Sequence, residues 1–169
     1  MKQRARFLAQ ASIIAALYAV LTHLQNILLP GSATWAIQMR ASEALCVLAF
    51  FSPAAAMGLS AGCLVFNLTF AAALPLDFLV GTLATYLAAK GMWLTRNITV
   101  GKLPVLGLLM PAATNAFLVG WELSVYIGGG FWMNALYVAI GEAIVLLTLG
   151  AGLYTVMKKR KLDTRLFGN

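Results

Sequence analysis

The sequence predicts an all-α integral membrane protein: a bundle of six transmembrane helices with both termini cytoplasmic. Three observations carry this. Apolar residues make up 62% of the chain and charged residues 10%, against roughly 45–50% and roughly 25% in a soluble domain. In water such a chain would expose large apolar surface and aggregate. The apolar residues also fall in runs, and a helix needs ~20 of them to cross ~30 Å of hydrocarbon. Lastly, Lys and Arg favour alternate connections. With the termini inside, the inner segments carry Lys2, Arg4, Arg6, Arg96, Lys102 and the basic group at 158–165, with Lys90 nearby, while the outer segments carry Arg40 alone. That is the bias expected of cytoplasmic loops.

The elements follow in order. MKQRAR and the apolar run behind it mimic a secretory signal. The run is far longer than the ~7–15 residues of a signal core, so it reads as a retained first helix, 7–29, closed by Pro30-Gly31. A polar loop leads to a second helix, 41–52. It is short for a span, because residues 41–51 would rise only ~16 Å at ~1.5 Å per residue. The third, 53–73, opens on Pro53, which is favoured as a first helical residue. Pro75-Leu76-Asp77 breaks the chain and starts the fourth, 77–94. The fifth covers 104–127 after the loop 95–103. Gly128-Gly129-Gly130 separates it from the sixth, 131–157, and a basic tail follows. The whole chain, 1–169, reads as a single membrane domain.

Depth sorts the polar residues. Glu43, Asn67, Asp77, Asn115, Glu122, Asn134 and Glu142 all fall in the middle or outer half. The inner halves are lined by small residues: Ala11, Ala15, Ala16 and Ala19 in the first helix, and Ala54, Ala55, Gly58, Ala61 and Gly62 in the third. Such surfaces suit close helix packing. The pattern describes a cup open to the outside. It argues against a channel, which needs polar lining through its depth, and against a free-standing carrier built on internal repeats. An enzyme fits badly too. The only histidine is His23, no metal-ligand spacing exists, and no Ser or Cys has a base placed to activate it. No cofactor is implied. Cys46 and Cys63 read as reduced core residues. The basic residues do not interleave with aromatics as a nucleic-acid groove requires.

Ionisable groups inside a membrane are costly, and each is a functional candidate. Glu43 opens the second helix, where a negative charge suits the dipole. It can pair with Arg40, and it or Gln38 can touch a ligand. Glu122 reads as a ligand group. Glu142 either binds ligand or ties helices together. Asn115 follows Pro111 and either contacts ligand or satisfies the backbone groups that proline frees. Asn134 is open in the same way. Asp77 reads as an N-cap, and His23 as a polar contact. Trp35, Trp121, Tyr126, Phe131, Trp132 and Tyr137 gather on the outer side. They form either an interfacial belt or a wall on which a flat ring stacks.

The succession AIQMRASEAL, FFSPAAAMGLSAGCLVFNL, NAFLVGWEL and FWMNALYVAIGEAIVL resembles the QueT family, substrate-binding (S) components of energy-coupling factor (ECF) transporters. The resemblance spans nearly the whole chain; Met39, where an aromatic is expected, and the loop 95–103 depart from it. It implies a multi-pass protein of the cell membrane that captures queuosine precursors, 7-deazaguanines such as preQ1 or preQ0. It also implies partners: a membrane coupling protein and two ABC-type ATPases. Ala11, Ala15 and Ala19 match the Ala-x-x-x-Ala pattern by which S components dock on the coupling protein before toppling inward. The candidate substrate-binding set is Glu43, Glu122, Glu142, Asn134, Asn115, Gln38, Arg40, Trp35, Trp121, Trp132, Tyr137 and Asn67. A carboxylate can take the two donors of a guanine-like edge, as acidic residues do for other bases. A cationic aminomethyl group would want a second carboxylate or a π-face. The alternatives are an S component for another vitamin-like cargo and a secondary carrier.

Overall fold

The computed structural model describes residues 1–32 and 39–168. Among them the chain is helical, with no strand beyond one isolated bridge between Val100 and Leu103. Helix α1 runs Lys2–Leu28, starting earlier than expected. Lys2, Gln3, Arg4 and Arg6 are good helix formers and carry the helix beyond its apolar stretch. The second element, Ala41–Phe50, is a 3-10 helix rather than an α-helix. At ~2.0 Å per residue it rises ~20 Å, which recovers depth that a short α-helix would lose. Residues three apart eclipse in this geometry, so Arg40, Glu43 and Cys46 form a column. Its entry is stapled from α1. The Gln25 amide donates to the Met39 carbonyl (2.7 Å) and accepts from the Ala41 N–H (2.7 Å).

Helix α2, Ala54–Thr69, ends earlier than expected because Phe70 turns extended (φ −91°, ψ 112°). Helix α3 runs Asp77–Thr95. Leu76 rather than Asp77 caps it. The Asp77 carboxylate reaches backward and accepts the Leu74 N–H at 2.7 Å, so it fixes the incoming turn instead of the helix end. The fifth expected helix is split into α4 (Val105–Leu108) and α5 (Met110–Tyr126). Pro111 has no N–H to offer the carbonyl four residues back, so the ladder breaks just ahead of it. The sixth is one helical run containing a π turn: α6 (Phe131–Val145), the turn Leu146–Gly150 and α7 (Ala151–Lys159). Gly128, Gly129 and Gly130 all have φ between 83° and 90°, the left-handed region that glycine enters without cost. The basic tail is not irregular: it folds into α8, Leu162–Phe167.

Among the described residues, three helical runs are long and apolar enough to cross a membrane: Lys2–Leu28, Val105–Tyr126 and Phe131–Lys159. The apolar helices Ala41–Phe50 and Ala54–Thr69 are shorter. A close backbone approach joins α1 to α2. A Cβ on Gly58 would lie 2.6 Å from the Ala11 carbonyl oxygen, and one on Gly62 2.7 Å from that of Ala15. The Ala11–Ala15–Ala19 ridge therefore faces α2, and Ala19 is only 7% exposed. Small residues on both helices let the backbones meet. The two ends of the chain lie together, with the Gln10 amide donating to the Leu166 carbonyl at 3.1 Å. The bundle is apolar outside, where Leu17, Val20, Phe117 and Leu149 are exposed, and it buries Glu43, Glu122 and Glu142 inside.

Candidate binding site

The buried glutamates come from three elements packed around one another. The 3-10 column delivers Glu43. Its two carboxylate oxygens accept from the Tyr18 hydroxyl of α1 and from the Cys46 thiol (3.1 Å), one residue along the column. Thr22, one turn beyond Tyr18, donates to the Tyr18 carbonyl and accepts from the Ser42 hydroxyl, each at 2.7 Å. Glu43 is thus held from two sides. Arg40 is buried with its guanidinium 5.9 Å from the Phe66 ring centre. It lies within electrostatic range of Glu43, Tyr18 and Asp77. The expected Arg40–Glu43 relationship is thus one of proximity, while Tyr18 and Cys46 supply the hydrogen bonds to Glu43.

On α6, Glu142 accepts a 2.9 Å hydrogen bond from Asn115 through Oε1. Its Oε2 is buried with no partner. Asn115 therefore spends its amide on Glu142, not on the backbone groups freed by Pro111. Two turns along α5, Glu122 is fully buried with neither oxygen partnered. Asp77 faces it from α3, acid toward acid, and Arg40 lies within range. Glu142 faces Glu43 and Arg40. Four carboxyl groups thus share one guanidinium. Three buried acceptor atoms on two glutamates stand open, where each lost charge-assisted hydrogen bond forfeits ~1.5–3 kcal/mol. An arrangement of this kind suits a ligand rich in donors.

Other expected residues are placed differently. Asn67 is buried at the edge of the cluster and donates to the Asp77 carbonyl at 2.7 Å, so it joins α2 to α3. Asn134 donates to Ser124 (3.1 Å) and to the Gly128 carbonyl (2.7 Å), which fixes the glycine turn. Trp121 and Trp132 are 49% and 78% exposed. Both point outward, as an interfacial belt does, and are not brought to the carboxylates. Tyr137 is half-buried. Trp35 and Gln38 lie outside the described residues. His23 makes a polar contact, 2.9 Å to Thr69, and sits edge-on to Phe66.

Sequence reasoning missed Tyr18, Thr22 and the Asp77–Glu122 approach. A signal for the first two existed: Tyr18 and Thr22 are a polar pair at helical spacing, flanked on the same face by Ile14, Ala15 and Ala19. Among the described residues no group of three or more His, Cys, Asp or Glu is placed to hold a metal ion. A family model described as QueT transporter matches residues 8–159. No curated protein and no solved structure matches the chain.

Proposed function

The chain belongs to the QueT transporter family, and from that membership we propose that it is the substrate-binding membrane subunit of an ATP-driven ECF importer for queuosine precursors. It is a membrane transporter and not an enzyme. The single observation that carries the substrate reading is Glu122: a fully buried carboxylate with both oxygens unpartnered. A 7-deazaguanine presents two adjacent donors, the ring N1–H and the exocyclic amine. A carboxylate matches that fork with two parallel bonds, as it does the arginine fork.

The remaining parts fit this role. Glu43 is pre-positioned by Tyr18 and Cys46, so the site does not have to assemble as ligand arrives. Arg40 offsets part of the negative charge. In this reading the chain crosses the cell membrane six times with both termini cytoplasmic. Support comes from the basic residues near the ends and from the contact between Gln10 and Leu166. Docking on the membrane coupling protein, which two ABC-type ATPases drive, uses the outward face of α1, edged by half-buried Ala11 and Ala15.

The test is a titration of the purified protein in detergent with preQ1, preQ0, queuine and guanine. We expect one site per chain, saturation without turnover, and 7-deazaguanines binding more tightly than guanine. Failure of every deazaguanine to bind a folded sample, with another vitamin-like compound saturating the site, would overturn the substrate. Hydrolysis or other turnover of the bound compound would overturn the subunit role.

A further inference from the structure

The two orphaned glutamates are not equivalent. Glu122 has both oxygens open, whereas Glu142 has one, its other oxygen being fixed by Asn115 at 2.9 Å. A fork of two donors needs two open acceptors, which Glu122 alone offers. A compact ammonium is a point charge with rotatable donors, and one open oxygen suffices for it. We propose that Glu142 is the specificity-determining residue for a cationic substituent, receiving the protonated aminomethyl group of a 7-deazaguanine whose ring edge Glu122 holds. The assignment rests on the substrate class proposed above and adds a division of labour to it.

The spacing supports it. Asn115, which marks the position of Glu142, and Glu122 are seven residues apart on α5. Two helical turns separate them by ~10.5 Å. A fused bicyclic ring with a one-carbon arm, plus a hydrogen bond of about 2.8 Å at each end, covers a comparable length. The ligand would then lie along α5 with its edge at Glu122 and its arm at Glu142.

Charge points the same way. Glu142 faces Glu43 as well as Arg40, and the Glu43 oxygens are already taken by Tyr18 and Cys46. At this end two carboxyls share a guanidinium that also faces Asp77 and Glu122. A cation relieves the excess. A neutral arm leaves the Glu142 Oε2 atom unsatisfied. Asn115 is a positioning residue here, aiming the open oxygen by holding its twin.

The experiment compares preQ1 with its neutral analogue, 7-hydroxymethyl-7-deazaguanine, on the wild-type protein and on Glu142→Gln. A charge-assisted hydrogen bond predicts that wild type prefers preQ1 by about 10- to 100-fold. In Glu142→Gln that ratio should fall close to one, with the same unfolding temperature within a few degrees. Equal wild-type affinities would overturn the assignment, and this arm stands even where the variant fails to fold. A ratio that persists in a folded Glu142→Gln protein would overturn it as well. Binding of both compounds without discrimination leaves the substrate class intact and removes only the role of Glu142. If neither compound binds, the substrate class falls and this assignment falls with it.

Discussion

Tyr18 shows how a single side chain ties the fold to the site. It is fully buried on α1, and its hydroxyl donates to Glu43 on the neighbouring 3-10 helix. Phenylalanine would keep the ring and its packing but strand one carboxylate oxygen. An unsatisfied buried acceptor costs about 1–3 kcal/mol. Tyr18→Phe should therefore lower the unfolding temperature in detergent and weaken ligand binding, because Glu43 is no longer held. Unchanged stability would mean that Glu43 finds another donor at no cost. A second residue-scale outcome concerns Asp163, which lies beyond the membrane-spanning runs and whose carboxylate accepts from Lys158 at 2.9 Å. Desolvation, the largest single influence, pushes its carboxyl up, but the Lys158 hydrogen bond and charge and backbone N–H groups together outweigh this and hold it below its ordinary 3.8. A depressed folded value means that the clasp between α7 and α8 stabilises fully above the unfolded carboxyl's pKa. It is lost as pH falls through the lower, folded value. A carboxyl-carbon NMR titration should place the Asp163 midpoint under 3.8, and Lys158→Met should raise it.

At the scale of elements, the contact between α1 and α2 does the positioning. Gly62 lets the α2 backbone approach Ala15 so closely that an added Cβ would lie 2.7 Å from the Ala15 oxygen and 2.8 Å from the Tyr18 Cβ. The first of these is a backbone atom and cannot swing aside. Gly62→Val should push the helices apart, destabilise the protein by ~1–3 kcal/mol and misplace Tyr18. Thermal unfolding and ligand titration would both register it, and a variant with wild-type affinity would refute this coupling. The small residues of this contact were legible in the sequence, but what they pack against was not. Alanine at four-residue spacing on α1 serves an internal neighbour and an external partner equally well, and the glycines opposite identify the internal one. The 3-10 form of Ala41–Phe50 was likewise hidden. The apolar run and its boundary at Ser52-Pro53 are plain in the sequence, whereas the helix type depends on the Gln25 staple and on Glu43 meeting Tyr18, both contacts between distant residues. Breaks written in local chemistry, such as Gly128-Gly129-Gly130 and Pro75, appeared where expected.

For the whole molecule the governing fact is inversion: apolar side chains outside, carboxylates within. Composition predicts the first half, and the helical spacing of Asn115 and Glu122 predicts part of the second. That Asp77 would face Glu122 required the fold, because α3 and α5 are separated in the chain by a loop and a broken helix. Crowding carboxylates in such an interior is costly. Removing one charge from a crowded acidic cluster relieves repulsion and desolvation together, and natural proteins commonly trade stability for function at such places. Glu122→Gln should therefore raise the unfolding temperature of the ligand-free protein. The same change replaces one acceptor by a donor that opposes the ring N–H or amine, so affinity should fall. With wild type, ligand at about 100 times its Kd adds ~2.7 kcal/mol, or roughly 5–10 °C for a chain of this size. Glu122→Gln should begin hotter and gain little on adding preQ1, so that the two melting curves converge when ligand is present. A variant that starts cooler than wild type would show that Glu122 is a structural strut, and a full ligand shift from a hotter start would show that the ring edge is read elsewhere.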